Sequence, residues 1–129
     1  VIAEAEDFPA SYLAANRAFD IARIAAHFHV PSAVFFPERT IVHDSAAGLA
    51  QSLAAVVARI RGQGVVRYDM RVHGLDRLSP DFAQLHAEWR LFDADARALL
   101  RVFTSYILRR DAEAGWRIAA ILEKGSERT

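Results

Sequence analysis

The order of hydrophobic patterns along the chain predicts an α+β fold, with helices first and an antiparallel sheet after them. Three observations carry this. Apolar residues recur at helical spacing through the first half, as in Phe8, Tyr12, Ala15 and Phe19. After Gly64 the period changes to two, which fits strands with one buried face. The breaks SPD, DADA and DAEAG between the period-two runs are short, so neighbouring strands pair antiparallel. Helices followed by a block of strands is the layout of an α+β domain.

Each element has its own signal. Asp7 is placed to cap a first helix, and Pro9 is tolerated in its first turn. Asp20 is placed to cap a second helix carrying Ile21, Ile24, Ala25 and Phe28. Pro31 disfavours helical geometry at Val30, so this helix is expected to stop near His29. Two short extended runs follow, SAVFF and TIVH, joined by PER. Ser45 caps a third helix with Leu49, Leu53, Val56, Val57 and Ile60 on one face, and Gly62 and Gly64 end it. The four long strands read VVRYDMRVHGLDRL, FAQLHAEWRLF, ALLRVFTSYILRR and GWRIAAILE.

Composition narrows the function. A length of 129 residues suits one domain spanning 1–129, and 53% hydrophobic content argues for a packed core. Sixteen basic and sixteen acidic residues cancel, with no basic stretch to attract nucleic acid. The absence of cysteine removes disulfides, thiol nucleophiles and thiolate metal sites. No apolar run approaches the roughly 20 residues of a membrane span. The opening VIAEAED lacks a signal-peptide layout, so a cytoplasmic location is expected. No phosphate-binding glycine motif and no HExxH occurs, and no cofactor or metal is expected.

The segments FDIARIAAHFHVPSAVF, DSAAGLAQSLAAVVARI and TSYILRRDAEAGWRIAAIL, with Tyr106, Arg109, Gly115, Trp116 and Ile118 in the last, carry a resemblance. They resemble the nuclear transport factor 2-like superfamily, in particular its small bacterial polyketide-cyclase-like (SnoaL-like) members. The resemblance covers nearly the whole chain and specifies a fold rather than an activity. It implies a cystatin-like cone, a curved antiparallel sheet wrapped around three helices in the order ααββαββββ. It also implies a pocket inside the cone and, commonly, a homodimer through the sheet.

Loop lengths give a strand register. A turn at 79–80 sets Asp69 against Arg90, Arg71 against Glu88, His73 against His86, Met70 against Trp89 and Val72 against Ala87. A loop at 94–97 sets Trp89 against Val102, Ala87 against Thr104, Leu85 against Tyr106 and Arg90 beside Arg101. Opposite charges then meet on one face and apolar groups on the other, as cross-strand pairing favours. The apolar face is expected to be concave, because the helices must bury their stripes against it. Tyr12, Phe36, Tyr68, Met70, Ala87, Trp89, Thr104 and Tyr106 are the candidate lining of a small apolar or aromatic ligand's site. Asp69, Arg71, His73, His86, Glu88, Arg90, Arg101 and Phe103 form a charged lattice, expected on the convex face as a homodimer interface.

The candidate chemistry is sparse. On a helix, His27 and His29 point about 200° apart and cannot share a metal, so a capping or surface role is expected. His73 and His86, if opposed, could share a proton or a metal, but two ligands do not complete a zinc site. Ketosteroid isomerases share the resembled fold and use a carboxylate base, with a tyrosine and a protonated aspartic acid as the oxyanion hole. Tyr12 matches the tyrosine in type and place, whereas Phe36 stands where the base is expected. An isomerase, cyclase or dehydratase remains the alternative, with His86, Glu88 and Tyr12 as its catalytic set if a bulge turns the strand inward. A dimerisation module with a filled cone is the third reading.

Overall fold

The structure is a computed structural model that describes residues 1–128. A short 3-10 turn, Ala5–Asp7, leads into helix α1 (Phe8–Arg17). Helix α2 (Ile21–Ala25), strands β1 (Phe28–Phe35) and β2 (Thr40–His43), and helix α3 (Ala46–Gly62) follow. Strands β3 (Arg67–Arg77), β4 (Phe82–Phe92), β5 (Ala98–Asp111) and β6 (Gly115–Arg128) complete the chain. The six strands form one sheet in the order β2-β1-β6-β5-β4-β3. All neighbours are antiparallel except β1 and β6, which run parallel. That pairing joins the first strand to the last, which local turn signals cannot reveal.

The caps follow local chemistry with one exception. The Asp20 carboxylate accepts from the Arg23 amide, and the Ser45 hydroxyl accepts from the Gly48 amide. Asp7 makes no side-chain cap bond, because the 3-10 turn before α1 already engages that end: the Asp7 amide donates to the Glu4 carbonyl. Helix α2 stops at Ala25, earlier than Pro31 alone demands. The reason is β-pairing: Phe28 lies opposite Ile118, and the Ile118 amide donates to the His27 carbonyl at 2.7 Å. His29 is therefore a strand residue, with its ring at 3.2 Å from the Arg109 carbonyl.

Gly115 is a position that a side chain could not share. Its φ is +76°, and an added Cβ would sit 2.2 Å from the Ile2 carbonyl oxygen. That close approach lets the Trp116 amide donate to the same carbonyl and pins the N-terminal segment to β6.

The register is that expected from the loops, with a correction. Asp69–Arg90, Met70–Trp89, Arg71–Glu88 and Val72–Ala87 are paired, as are Trp89–Val102, Ala87–Thr104, Leu85–Tyr106 and Arg90–Arg101. His73 is not opposite His86. A bulge between Val72 and Gly74 puts Gly74 there instead, and the extra residue lets Leu75 face Leu85. The concave face carries the core: Phe8, Tyr12, Ile24, Phe28, Leu49, Leu85, Leu108, Trp116 and Ile118 are all buried. Ala87, Trp89 and Leu91 point to that face, whereas His86, Glu88 and Arg90 alternate onto the other.

Two further bulges lie in β6. Leu108 pairs with Ile118, but Ile107 pairs with Ala120, so Ala119 is extra. Phe103 pairs with Gly125 and Thr104 with Glu123, so Lys124 is extra. The first bulge reverses the strand's parity. Trp116 and Ile118 face inward before it, and Ile121 and Glu123 face inward after it.

Candidate functional site

The centre of the cone is an aromatic cluster built from α1, β1, β3, β4 and β5. Tyr12 lies 5.8 Å from Trp89, 5.7 Å from Tyr106 and 6.1 Å from Phe28, each edge-to-face. Tyr68 meets Trp89 at 5.8 Å in the same manner. Such edge contacts align ring quadrupoles. The Trp89 indole donates to the Tyr106 hydroxyl at 2.8 Å, which satisfies a polar group that burial would otherwise strand. Burial raises the phenol pKa values of Tyr12, Tyr68 and Tyr106, so all three stay protonated near neutral pH.

Between the Leu85–Tyr106 and Trp89–Val102 pairs, the concave face changes character. Val72, Ala87, Thr104 and Glu123 form one row across β3, β4, β5 and β6. Ala87 and Thr104 are buried, while Glu123 is half-buried. Burial raises the Glu123 carboxyl pKa, and a hydrogen bond from Thr104 partly opposes that shift. The phenols of Tyr12 and Tyr106 lie close enough to feel its charge. Val34, Leu53, Val57, Ile60, Met70 and Val102 are half-buried apolar groups packed against the core. Phe36, the remaining candidate for the lining, sits just past β1 with the Arg39 guanidinium 4.6 Å above its ring. The residues expected to line the site are thus on or beside one face, but Tyr12, Tyr68, Trp89 and Tyr106 chiefly pack against one another.

Glu123 is the inward carboxyl that sequence reasoning missed. Strict alternation through GWRIAAILE from Trp116 places Glu123 outside, and the bulge at Ala119 reverses that. The signal that could have found it is Thr104, a polar residue between the inward Val102 and Tyr106 of β5, directly opposite Glu123.

The convex face holds a different network. Glu88 has a side chain only 5% exposed and accepts from His73 at 3.0 Å and Arg90 at 3.1 Å, with Arg101 at 3.8 Å. The bonds from His73 and Arg90 lower its pKa. Asp69 pairs with Arg17 of α1 at 3.1 Å, and the Arg101 guanidinium lies 5.5 Å from the Phe103 ring. Arg71 is exposed beside this network, and Arg101 also reaches Glu127 at 2.5 Å. His86 lies between Ser105 at 2.9 Å and Asp76 at 3.4 Å. This serine–histidine–aspartate chain is structural, because Ser105 is mid-strand and 2% exposed, out of reach of a substrate carbonyl. The bulge at His73 leaves His86 and Glu88 on this outer face, so they supply no acid–base pair to the interior.

His27 is a capping group, and it is buried rather than on the surface. Its Nδ1 donates to the Arg23 carbonyl at 2.7 Å at the end of α2. Burial lowers its pKa, so the ring is neutral and Nε2 accepts from the Ser11 hydroxyl at 2.8 Å.

Two clefts open on the outside of the molecule, one lined by Asp81, Phe82, Arg109, Arg110 and Ala112 and one by Asp69, Met70, Arg71 and Arg90. In the first, the Arg110 guanidinium is engaged by Asp81 and the Pro80 carbonyl. Among the described residues, no helix is long and apolar enough to cross a membrane.

Comparison with known proteins agrees with this geometry. No curated protein matches the sequence. Among solved structures, a protein from Thiobacillus denitrificans described as a calcium/calmodulin-dependent protein kinase type II association domain superposes with a TM-score of 0.77 at 17% identity, covering 97% of this chain and 98% of that one. A ketosteroid isomerase-like protein from Erwinia carotovora atroseptica gives 0.70 at 18% identity, covering 95% and 92%. A domain of unknown function with a cystatin-like fold from Nostoc punctiforme gives 0.72 at 15% identity, covering 95% and 73%. At these identities the likeness is one of fold. The sequence profile of a family described as NTF2-like protein (DUF6841) matches residues 3–126, nearly the whole chain, and the protein belongs to that NTF2-like family.

Proposed function

We propose that the protein binds a small apolar or aromatic molecule inside the cone, as a homodimer joined through the convex sheet face. The observation that carries the binding reading is Glu123. A carboxyl turned inward beside Thr104, its pKa raised by burial, disfavours a cone that is simply filled, since a partly desolvated carboxyl costs stability. It suits a site that recognises one polar group on an otherwise apolar ligand, with Thr104 beside it. The aromatic cluster behind it supplies a rigid floor.

Titration with 4-phenylphenol, followed by the fluorescence of Trp89 in a Trp116→Phe background, tests this. The wild type is expected to saturate, Glu123→Leu to bind at least tenfold more weakly, and Ala87→Trp, which fills the row beside Thr104, not to bind. No saturable binding, or equal binding by all three proteins, rejects the reading and favours a filled dimerisation module.

The second reading is an isomerase-, cyclase- or dehydratase-like enzyme, and the same carboxyl favours it. Phe36 leaves the β1 position of the isomerase base without a titratable group, and Glu123 is a carboxyl within the cone whose raised pKa suits proton transfer. Solvent deuterium appearing next to the carbonyl of a bound aryl ketone, and lost in Glu123→Gln, would support it; no exchange above the buffer rate argues for binding alone.

Support for self-association comes from the outer face. Phe35, Val42 and Leu122 are 44%, 62% and 38% exposed on that side of β1, β2 and β6, next to the charged lattice of β3, β4 and β5. An apolar patch rimmed by both signs of charge suits a second copy of the same surface. Arg90→Glu and Phe35→Glu are expected to shift sedimentation from dimer to monomer, and two variants that still sediment as dimers exclude this face.

A further inference from the structure

Ser32 and His43 face one another across β1 and β2. Their parity is that of Val34 and Ile41, and Val34 lies opposite the inward Ile121, so both side chains project to the concave side. Ser32 is 5% exposed and His43 9%. The Ser32 hydroxyl and both His43 ring nitrogens have no hydrogen-bond partner. Such orphans are destabilising, and folded proteins keep few of them. Two adjacent ones on the inner face call for an explanation in terms of what they bind.

Their position relative to Glu123 supplies one. Moving along the parallel strands β1 and β6, the Ser32–His43 pair comes first. Val34, Ile41 and Ile121 come next, and Glu123 with Thr104 follows. Ser32 lies two residues before Val34 and Glu123 two residues after Ile121, a separation of about 13 Å along the strands at roughly 3.3 Å per residue. The inner wall is therefore polar at each end and apolar between.

We propose that Ser32 and His43 form a second polar anchor, so that the cone's ligand carries a hydroxyl or carbonyl at each end of a rigid apolar body. The proposal rests on the cone being the binding site and specifies the chemistry of what enters it. Glu123 and Thr104 take one end. The Ser32 hydroxyl and the His43 imidazole, which together offer donors and acceptors, take the other. The flat middle lies on Val34, Ile41 and Ile121.

Matched probes test it: 4-phenylphenol has one hydroxyl, and 4,4′-dihydroxybiphenyl has the same body with one at each end. The wild type is expected to bind the diol about tenfold more tightly, the effect of one added hydrogen bond to groups that have none. Ser32→Ala and His43→Leu should erase that preference and leave affinity for the mono-hydroxyl probe unchanged, while His43→Gln keeps part of it. Because both substitutions remove orphaned polar atoms, neither variant should melt below the wild type. Equal affinity of the wild type for the two probes, or a preference that survives His43→Leu, overturns the anchor while the binding reading stands. A marked fall in melting temperature in both variants also overturns it, since that assigns the pair to stability. Failure of the mono-hydroxyl probe to bind rejects the binding reading, and the anchor with it.

Discussion

Replacing Tyr106 with phenylalanine probes the centre of the cone with a single oxygen atom. The Tyr106 hydroxyl accepts the Trp89 indole N–H at 2.8 Å, and the two residues are 4% and 7% exposed. Phenylalanine preserves the ring contact with Tyr12 but leaves the indole N–H buried without an acceptor. The expected loss is about 1–3 kcal/mol, the desolvation penalty of one orphaned donor. For a chain of 129 residues, 1 kcal/mol corresponds to roughly 3–5 °C, so melting should fall by about 3–15 °C. Urea denaturation of Tyr106→Phe, Trp89→Phe and the double variant completes the cycle. Once the indole is gone, removing the phenol oxygen strands no indole N–H, so the double variant should cost less than the two single losses added. Strict additivity, or a Tyr106→Phe protein within about 0.5 kcal/mol of wild type, refutes the claim that this bond is made in a dry interior.

Other consequences follow from the two glutamates and from β6. The Glu123 pKa is raised in the native state, so its contribution to stability is full below the unfolded value of about 4.3 and lost as pH rises through the native one. Glu123→Gln should therefore raise the melting temperature above that window and change little below it, as calorimetry from pH 4 to pH 8 would show. Glu88 has the opposite sign: its lowered pKa stabilises the fold above about 4.3, and that stability is lost as pH falls through the native value. Glu88→Gln leaves His73 and Arg90 without their carboxylate and should lower the melting temperature at pH 7 and flatten the acid limb; an unchanged profile argues against the network. Gly115→Ala forces a Cβ to 2.2 Å from the Ile2 carbonyl at positive φ, so hydrogen exchange should show the first residues released from β6. Retained protection of the Trp116 amide counts against that contact.

Much of this architecture was legible because the sequence states it redundantly. Asp69, Arg71, Glu88 and Arg90 alternate with Met70, Val72, Ala87 and Trp89, so a slip of one residue would scramble both faces, and the register follows from charge and loop length together. The bulges were not legible. His73 and Ala119 are each one residue too many for their partner strand, and nothing in their local sequence announces it. The cost of missing the second bulge was large, since it decides the direction of Glu123 and with it the character of the site. The parallel pairing of β1 with β6 was equally hidden, because it joins segments some ninety residues apart, as in Val34 with Ile121. Ser32 and His43 face each other only through the pairing of two short strands, and their lack of partners becomes visible once the sheet is assembled.

The carboxyl of Glu123 offers the most direct test. Its carbon resonance, assigned by comparison with Glu123→Gln, can be followed by NMR from pH 3 to pH 9. A midpoint above the ordinary glutamate value of about 4.3 is expected, moving again when a phenol occupies the cone. A midpoint at or below that value, indifferent to ligand, contradicts an inward, partly desolvated carboxyl and the function built on it.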